Sequence, residues 1–437
     1  MFVRQQLLQR ERQARFLWKV LIWGVGLLPL LITPFWPRSF NNTFSYTVAL
    51  QSGFGSARII ARLATSTILM LAIGALLVGL HFHWRFGISR RSWMLLWGVF
   101  FLALGPLLSA MLGIAPQFSI SHLATPVVFA ALIFLPPVRL AWFIGEVKRL
   151  MLLYTVGSLV AAVVAPSWAL EIPYTQGYIP GFDVRLHGVT VNANHTAPFV
   201  LLYILFELAF PSKSFLRWVG LGAAGLALLL TQSKTTWALL IVGLELMYLF
   251  VLTRKSTFGK VINLLFMLSI VLGSFLVLVA SGGDLVENVT DLVQNRETEL
   301  VTLTGRVYIW AVVLDVVREN PWFGYGPHLW DSEMTLAYVP LLGWTPAQSH
   351  NQYIQSLGEG GIIGLFGLIV YGMIMLRTGW KYRFVGRGLP FVLPLLWLMR
   401  GVTESWYRGA TTDGNLVLHM LIFATLALLA KNRWGKE

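Results

Sequence analysis

The sequence contains no cysteine, which excludes a disulfide framework, a thiolate metal site and a thiol nucleophile. Charge is scarce too: 12% of the 437 residues are charged, where a soluble domain carries about 25%. No Gly-rich loop ends in Gly-Lys-Ser/Thr, so no ATP-driven step is indicated. No His-Glu-x-x-His or Asp-x-Asp pairing signals a catalytic metal, and no Ser sits in a recognisable nucleophile elbow. Gly324-Tyr325-Gly326 is a lone GxG without strand context. There is no internal repeat and no low-complexity tract.

What is present is apolar surface: 56% hydrophobic residues, 18 Trp, 28 Phe and a mean hydropathy of +0.69. That is too much for one water-facing core, so lipid must act as part of the solvent. A helix needs roughly 20 apolar residues to cross the hydrocarbon layer. Runs of that kind centre on 17–36, 60–82, 92–113, 120–137, 149–166, 196–211, 216–232, 236–253, 261–281, 361–377, 388–403 and 414–430. The expectation is an all-α integral membrane protein of about 12 transmembrane helices. The basic stretch from Arg4 to Lys19 leads into an apolar run with no small-residue cleavage site, so it is not read as a cleavable signal.

Direction follows from Lys and Arg, which favour the cytoplasmic side. With both termini inside, the larger share of the 33 basic residues falls on inner loops: Arg85, Arg90, Arg91, then Arg139, Lys148, Arg149, then Lys213, Arg217, and so on. The net charge of +14 is therefore a topology signal, and no nucleic-acid partner is expected. The outer segments are longer and chemically mixed. They comprise 167–195, the short Thr231-Gln232-Ser233-Lys234 stretch, and a large loop over 282–350 within a single polytopic domain, 1–437. Five of the eight His residues (His122, His187, His195, His328, His350) fall on or near this outer face.

Within the large loop, Asp284 to Asn295 reads as a short amphipathic helix. A second starts near Arg306, with Val307, Trp310, Val313, Leu314 and Val317 at helical spacing, and Asn320-Pro321 ends it. A third begins at Ser349, whose hydroxyl is a candidate cap, and Gly358, Gly360 and Gly361 break it before the next span.

The outward cations and imidazoles are Arg185, Lys234, Arg306, His195 and His350. Arg gives a diphosphate paired hydrogen bonds and Lys adds a point charge. Such cations would neutralise charge building on a departing diphosphate, and a neutral His could take the proton of an attacking hydroxyl. Glu359 stands about half a turn out of phase with His350 and about 13 Å away on a continuous helix, too far to orient it.

The run from His350-Asn351 through Gly358-Glu359-Gly360-Gly361 to Gly364 resembles a signature of the O-antigen ligase and O-antigen polymerase family. Gly305-Arg306 to Trp310, followed by Pro321-Trp322-Phe323-Gly324-Tyr325-Gly326, is similar to its Gly-Arg…Trp…Pro-x-x-Gly-x-Gly segment. Arg185-Leu186-His187-Gly188 leading to Asn194 resembles a further element, and Lys234 stands where that family usually has Arg. The resemblance spans roughly 180–365.

It implies a metal-independent, inverting glycosyltransferase without cofactor, in the bacterial cytoplasmic (inner) membrane, with its active site facing the periplasm or cell exterior. The donor would be a polyprenyl-diphosphate-linked glycan. The acceptor would be a lipid A core sugar for a ligase or another glycan for a polymerase. Arg185, Lys234 and Arg306 would hold the diphosphate, and His350 would contact the acceptor or act as base. His195, Asn194, Asn351 and Glu404 are further candidate substrate contacts. Membrane lipids and a chain-length regulator complete the expected partners. The alternative is a transporter or flippase of lipid-linked glycans, although few ionisable residues lie mid-span, where carriers bind substrate.

Overall fold

The computed structural model describes residues 2–33, 54–86, 89–118, 120–174, 182–252, 261, 303–330, 334, 348–407 and 414–431. Hydrocarbon offers backbone groups no hydrogen-bond partner, so apolar runs satisfy themselves as helices. These are α1 (Phe2–Ile32), α2 (Phe54–Phe86), α3 (Arg90–Leu112), α4 (Ala124–Phe134), α5 (Leu140–Val164), α6 (Ala193–Ala209), α7 (Leu216–Thr231) and α8 (Lys234–Leu252). They continue with α9 (Leu303–Glu319), α10 (Gln352–Lys381), α11 (Leu389–Arg400) and α12 (Gly414–Lys431). Each apolar run overlaps one of them except 261–281, which lies outside the described residues beyond Val261.

Among the described residues, six helices are long and apolar enough to cross a membrane: Leu63–His81 within α2, α3, α5, Lys234–Val251 within α8, α10 and α12. The chain is a mostly helical, multi-pass membrane protein. α4, α6 and α7 are apolar but shorter, so length and composition carry six spans where the sequence suggested about twelve. Among the described residues, one hairpin departs from an all-helical fold. β1 (Leu170–Glu171) pairs antiparallel with β2 (Arg185–Leu186), setting Glu171 opposite Arg185.

α12 runs through the centre and is buried along nearly its whole length. Phe423 of α12 stacks on Phe129 of α4 at 4.5 Å, and His419 Nε2 meets the Tyr371 hydroxyl of α10 at 2.6 Å. α3 and α10 approach closely through small residues. A Cβ on Gly105 would fall onto the Gly364 backbone, and one on Gly367 onto the Phe101 carbonyl. Small residues allow such close approach where lipid removes any hydrophobic drive to associate.

α10 is kinked at Gly361, which has φ 62° and ψ −160°. The break expected from the glycines is therefore present, and the aromatic turn 321–326 fills it. Tyr325 N donates to Gly358 O at 2.8 Å, Gly326 N to Glu359 O at 3.2 Å, and Ile362 N to Pro321 O at 2.8 Å. Gly324, at φ 67°, lies so close to the kink that a Cβ would sit 2.7 Å from Gly361 N. The Pro-Trp-Phe-Gly-Tyr-Gly motif thus supplies partners that a broken helix leaves unsatisfied.

α9 confirms the helix read from Arg306 onward. It packs through Val312, Val313 and Val316 on Tyr325 and Leu329, forming a satellite core. The expected helix over 284–295 lies outside the described residues, as does most of the 282–350 loop.

The loops at the two ends of the bundle differ in character. At one end cluster Arg139, Lys148, Arg149, Arg217, Lys431 and the turn after α10. Glu207 holds Lys148 at 2.7 Å and Arg217 at 3.6 Å, while Glu146 takes Arg149 at 2.8 Å and the Trp23 indole N–H at 3.0 Å. Lys431 donates to the Leu132 and Leu135 carbonyls, at 2.5 and 2.6 Å, where α4 ends. The opposite end collects the residues singled out for chemistry.

Candidate functional site

Four chain segments converge at that opposite end. The hairpin carries Arg185, the start of α6 carries Asn194, the α7–α8 turn carries Ser233 and Lys234, and 401–407 carries Glu404. Gln352 straps 401–407 to the start of α10. Its N–H donates to Gly401 O at 2.6 Å, its side-chain amide donates to Tyr407 O at 2.9 Å, and its Oε1 accepts from Tyr407 N at 2.6 Å. This strap brings Glu404 to His350, 54 positions apart in the chain.

Arg185 is about 20% exposed and bracketed on all sides. Nε donates to the Thr231 carbonyl at the end of α7 at 3.2 Å, and Nη2 to Asn194 Oδ1 at 3.3 Å. Nη1 lies 4.0 Å from Glu171 Oε2, and the guanidinium sits 4.8 Å over the Tyr174 ring. Burial raises the Tyr174 phenol pKa, against the pull of Arg185, so the ring offers an uncharged face. Glu171 also holds His187 Nε2 at 2.9 Å. His187 is thereby part of the scaffold that fixes Arg185.

Asn194 is the hub. Besides accepting from Arg185, its Oδ1 accepts from the Ser233 hydroxyl at 3.2 Å, and its Nδ2 donates to Glu404 Oε1 at 2.8 Å. The other carboxylate oxygen of Glu404 lies 3.9 Å from His350 Nδ1. The Gln348 amide stands between them, 3.4 Å from Nδ1 and 3.5 Å from Glu404 Oε2. His350 is about 30% exposed and takes a left-handed backbone, φ 49°. For a non-glycine residue this conformation costs on the order of 1 kcal/mol and is typical of functional turns.

Arg306 donates to the Thr403 carbonyl at 3.3 Å. Among the described residues it has no carboxylate within ion-pair distance. Its charge acts on Lys234, the first residue of α8. Two cations therefore meet at the positive end of a helix dipole, an arrangement that an anion would relieve.

One expectation is corrected. Asn351, not Ser349, caps α10: its Oδ1 accepts from Tyr353 N at 2.9 Å and Ile354 N at 3.1 Å. A cap must stand immediately before the first helical residue. Ser349 stands two residues too early, and its main chain instead ties down Trp310 and Gln355. The Asn351 side-chain oxygen is thus engaged by the helix start. His195 is only 6% exposed and lies beneath the site, with Nε2 3.3 Å from Asn415 Nδ2. Glu359 is held by Gln355 at 2.8 Å, away from His350.

The sequence reading missed the layer below. Arg400, 3% exposed, donates to Asn415 Oδ1 at 2.8 Å and to the Asn194 carbonyl at 3.0 Å. It lies 5.1 Å over Trp397. A guanidinium at the end of an apolar run was the available signal, since such a charge is rarely buried without a task. Glu171, Gln348 and Asn415 gave no sign in sequence, because their partners lie on other elements. Among the described residues, no group of three or more His, Cys, Asp or Glu side chains is arranged to hold a metal ion.

With this geometry in hand, the comparisons are specific. Residues 219–369 match the family model described as O-antigen ligase, a stretch that includes Lys234, Arg306 and His350. The chain is also similar to an O-antigen ligase of Pseudomonas aeruginosa, with 31% identity over 140 residues. That match covers 30% of this chain and 32% of the relative, so the chain spans about a third of the curated protein it matches. The family resemblance read from the motifs is supported over this segment, where residues 219–369 are similar to the O-antigen ligase model.

Proposed function

We propose that the protein transfers a glycan from a polyprenyl diphosphate to a sugar hydroxyl at the polar end of the bundle, on the outer face of the cytoplasmic membrane. The observation that carries this is the convergence of Arg185, Lys234 and Arg306 beside a His350–Glu404 pair joined through Asn194. Cations, a candidate base and the group that orients it come from separate chain segments onto one surface. The outward assignment rests on the opposite end holding the dense basic loops.

In this reading Arg185, Lys234 and Arg306 bind the diphosphate oxygens. Glu404 lies 3.9 Å from Nδ1 of His350 and stabilises the imidazolium that forms when the ring takes the acceptor's proton. The acceptor oxygen attacks the anomeric carbon from the face opposite the diphosphate. The bond from that carbon to the phosphate oxygen breaks, its electron pair stays on the departing diphosphate, and the hydroxyl proton passes to the His350 ring. The configuration inverts. The three cations stabilise the leaving charge, work that a divalent cation does in other transferases. The proton is released to water before the next turnover.

The transporter reading draws less support. α12 fills the centre of the described bundle, and its Phe423 and His419 pack on Phe129 and Tyr371, where a carrier would need a path.

The test is glycan transfer by purified protein in lipid, with a polyprenyl-diphosphate oligosaccharide and EDTA. Wild type should transfer, while Arg306→Ala and His350→Ala should fold and lose turnover by about 10²-fold or more. The acceptor consumed separates ligase from polymerase. Movement of the intact lipid-linked glycan between leaflets, without transfer to any acceptor, would instead establish the carrier.

A further inference from the structure

The other end of the bundle holds a feature that glycan transfer does not use. The start of α3 and the end of α10 line an open groove of about 1100 Å³. Five cations surround it: Arg90, Arg91, Arg377, Lys381 and Arg383. Among the described residues none of the five forms an ion pair, although Arg15, Arg139, Lys148, Arg149 and Arg217 at the same end all do. The sequence explains the contrast. No Asp or Glu occurs between Glu11 and Glu146, or between Glu359 and Glu404, and these are the stretches that supply both walls. No acidic side chain lines the groove.

The cations are also held in position. Arg91 donates to the Tyr382 hydroxyl at 2.7 Å and lies 5.7 Å over that ring. Arg383 donates to the Trp380 carbonyl at 2.9 Å and lies 4.5 Å over the Trp380 ring. Beside them Trp93, Trp97 and Trp380 are about half exposed, the placement of aromatic rings at a membrane–water boundary. The apolar surface then continues along both helices. Trp93, Trp97 and Phe100 share one face of α3, and Trp380, Met373 and Ile369 share one face of α10.

We infer that this groove is a binding site for an anionic phospholipid of the surrounding bilayer. Its phosphate sits among the five cations and its acyl chains lie along the exposed faces of α3 and α10. Among the described residues the five cations have no acidic partner, the rings mark headgroup depth, and the apolar stripes suit chains instead of a free anion. A basic pocket between membrane helices is a recurrent way of holding an acidic headgroup. The groove lies at the end opposite Arg185, Arg306 and His350, so the inference does not depend on the transfer reaction.

The experiment is native mass spectrometry of the full chain, released from detergent containing equal phosphatidylglycerol and phosphatidylcholine. Wild type should retain phosphatidylglycerol in marked preference. The double variant Arg377→Gln/Lys381→Gln should lose that retention by roughly tenfold or more. Arg149→Gln, a paired cation at the same end, should leave it unchanged. A melting curve for each variant confirms folding, and if the double variant does not fold, the wild-type preference alone decides. Equal retention of the two lipids overturns the inference, as does undiminished retention by a folded double variant. Displacement of the lipid by millimolar inorganic phosphate would also overturn it, because a free anion would then be the occupant.

Discussion

At the basic end Glu207 takes both Lys148 and Arg217, and Ser212 N donates to it at 2.6 Å; at the polar end Arg306 donates to the Thr403 carbonyl, and Lys234 shares its field. Both ends bring positive charge to the surface of an apolar bundle. In the first, the charge is matched within the protein, and the carboxylate is nearly buried. In the second, Glu171 and Glu404 are shared with imidazoles, and among the described residues Arg306 has no carboxylate within ion-pair distance. Matched charge contributes to the fold. Surplus charge, held in place by a scaffold, is what a substrate anion would use. The groove between α3 and α10 belongs with the second kind, although it lies at the first end.

Neutralising a charge at each end should therefore do different things. The largest effect is expected at the polar end. Arg185→Ala, Arg306→Ala or His350→Ala should each lower glycan transfer by about 10²–10³-fold with little change in melting temperature. Glu404→Gln keeps the hydrogen bond from Asn194 in reach but loses the charge facing His350, and should fall between these variants and wild type. If alanine at these positions unfolds the protein as readily as it removes activity, the contrast between the ends fails.

Next comes Glu207→Gln, which leaves Lys148 and Arg217 beside an uncharged amide. Breaking a buried pair from one side costs about 3 kcal/mol. The melting temperature should drop while turnover per folded molecule is retained. Loss of turnover in a stable Glu207→Gln protein would break the comparison from the other side.

Gly361→Ala should be smaller, about 2 kcal/mol. The new Cβ meets the Trp322 carbonyl carbon and oxygen, at a φ of 62°. Chemical denaturation of the variant measures it. A neutral outcome would mean that the aromatic turn is not what mends the kink.

The smallest effect concerns pH. His122 lies just before α4, its ring 5.5 Å from that of His328. Burial, aided by the His328 charge, lowers its pKa from 6.5 to about 4. The folded state then binds fewer protons than the unfolded state between those values. Stability is full above pH 6.5 and is lost as pH falls toward 4. At pH 5 the loss is on the order of 1–2 kcal/mol. His122→Asn should flatten that part of the stability profile, and an unchanged profile would remove His122 as its source.

The sequence made the helices legible because in lipid an apolar run has few other options, and α9 was legible from its spacing alone. The polar-end cations were legible as well, since Arg185, Lys234 and Arg306 stand in short polar stretches between apolar runs. Local competition was harder to read. Ser349 and Asn351 are both good caps, and only the position of the first helical residue selects Asn351. The partnership of Glu404 with Asn194 and His350 depends on the Gln352 strap, which joins segments about 50 positions apart. Arg400 holds the Asn194 carbonyl and Asn415 lies against His195, each across more than 200 positions. Periodicity carries no information at that range. The Pro321–Gly326 motif invited a functional reading, yet its backbone serves the kink in α10.

The most direct measurement is the anomeric configuration of the newly formed glycosidic bond, read by NMR on product made by the purified protein in EDTA. A single displacement, with His350 taking the proton and the three cations taking the diphosphate, predicts a configuration opposite to that of the donor. Retention of the donor configuration would require a covalent glycosyl intermediate and would contradict the account.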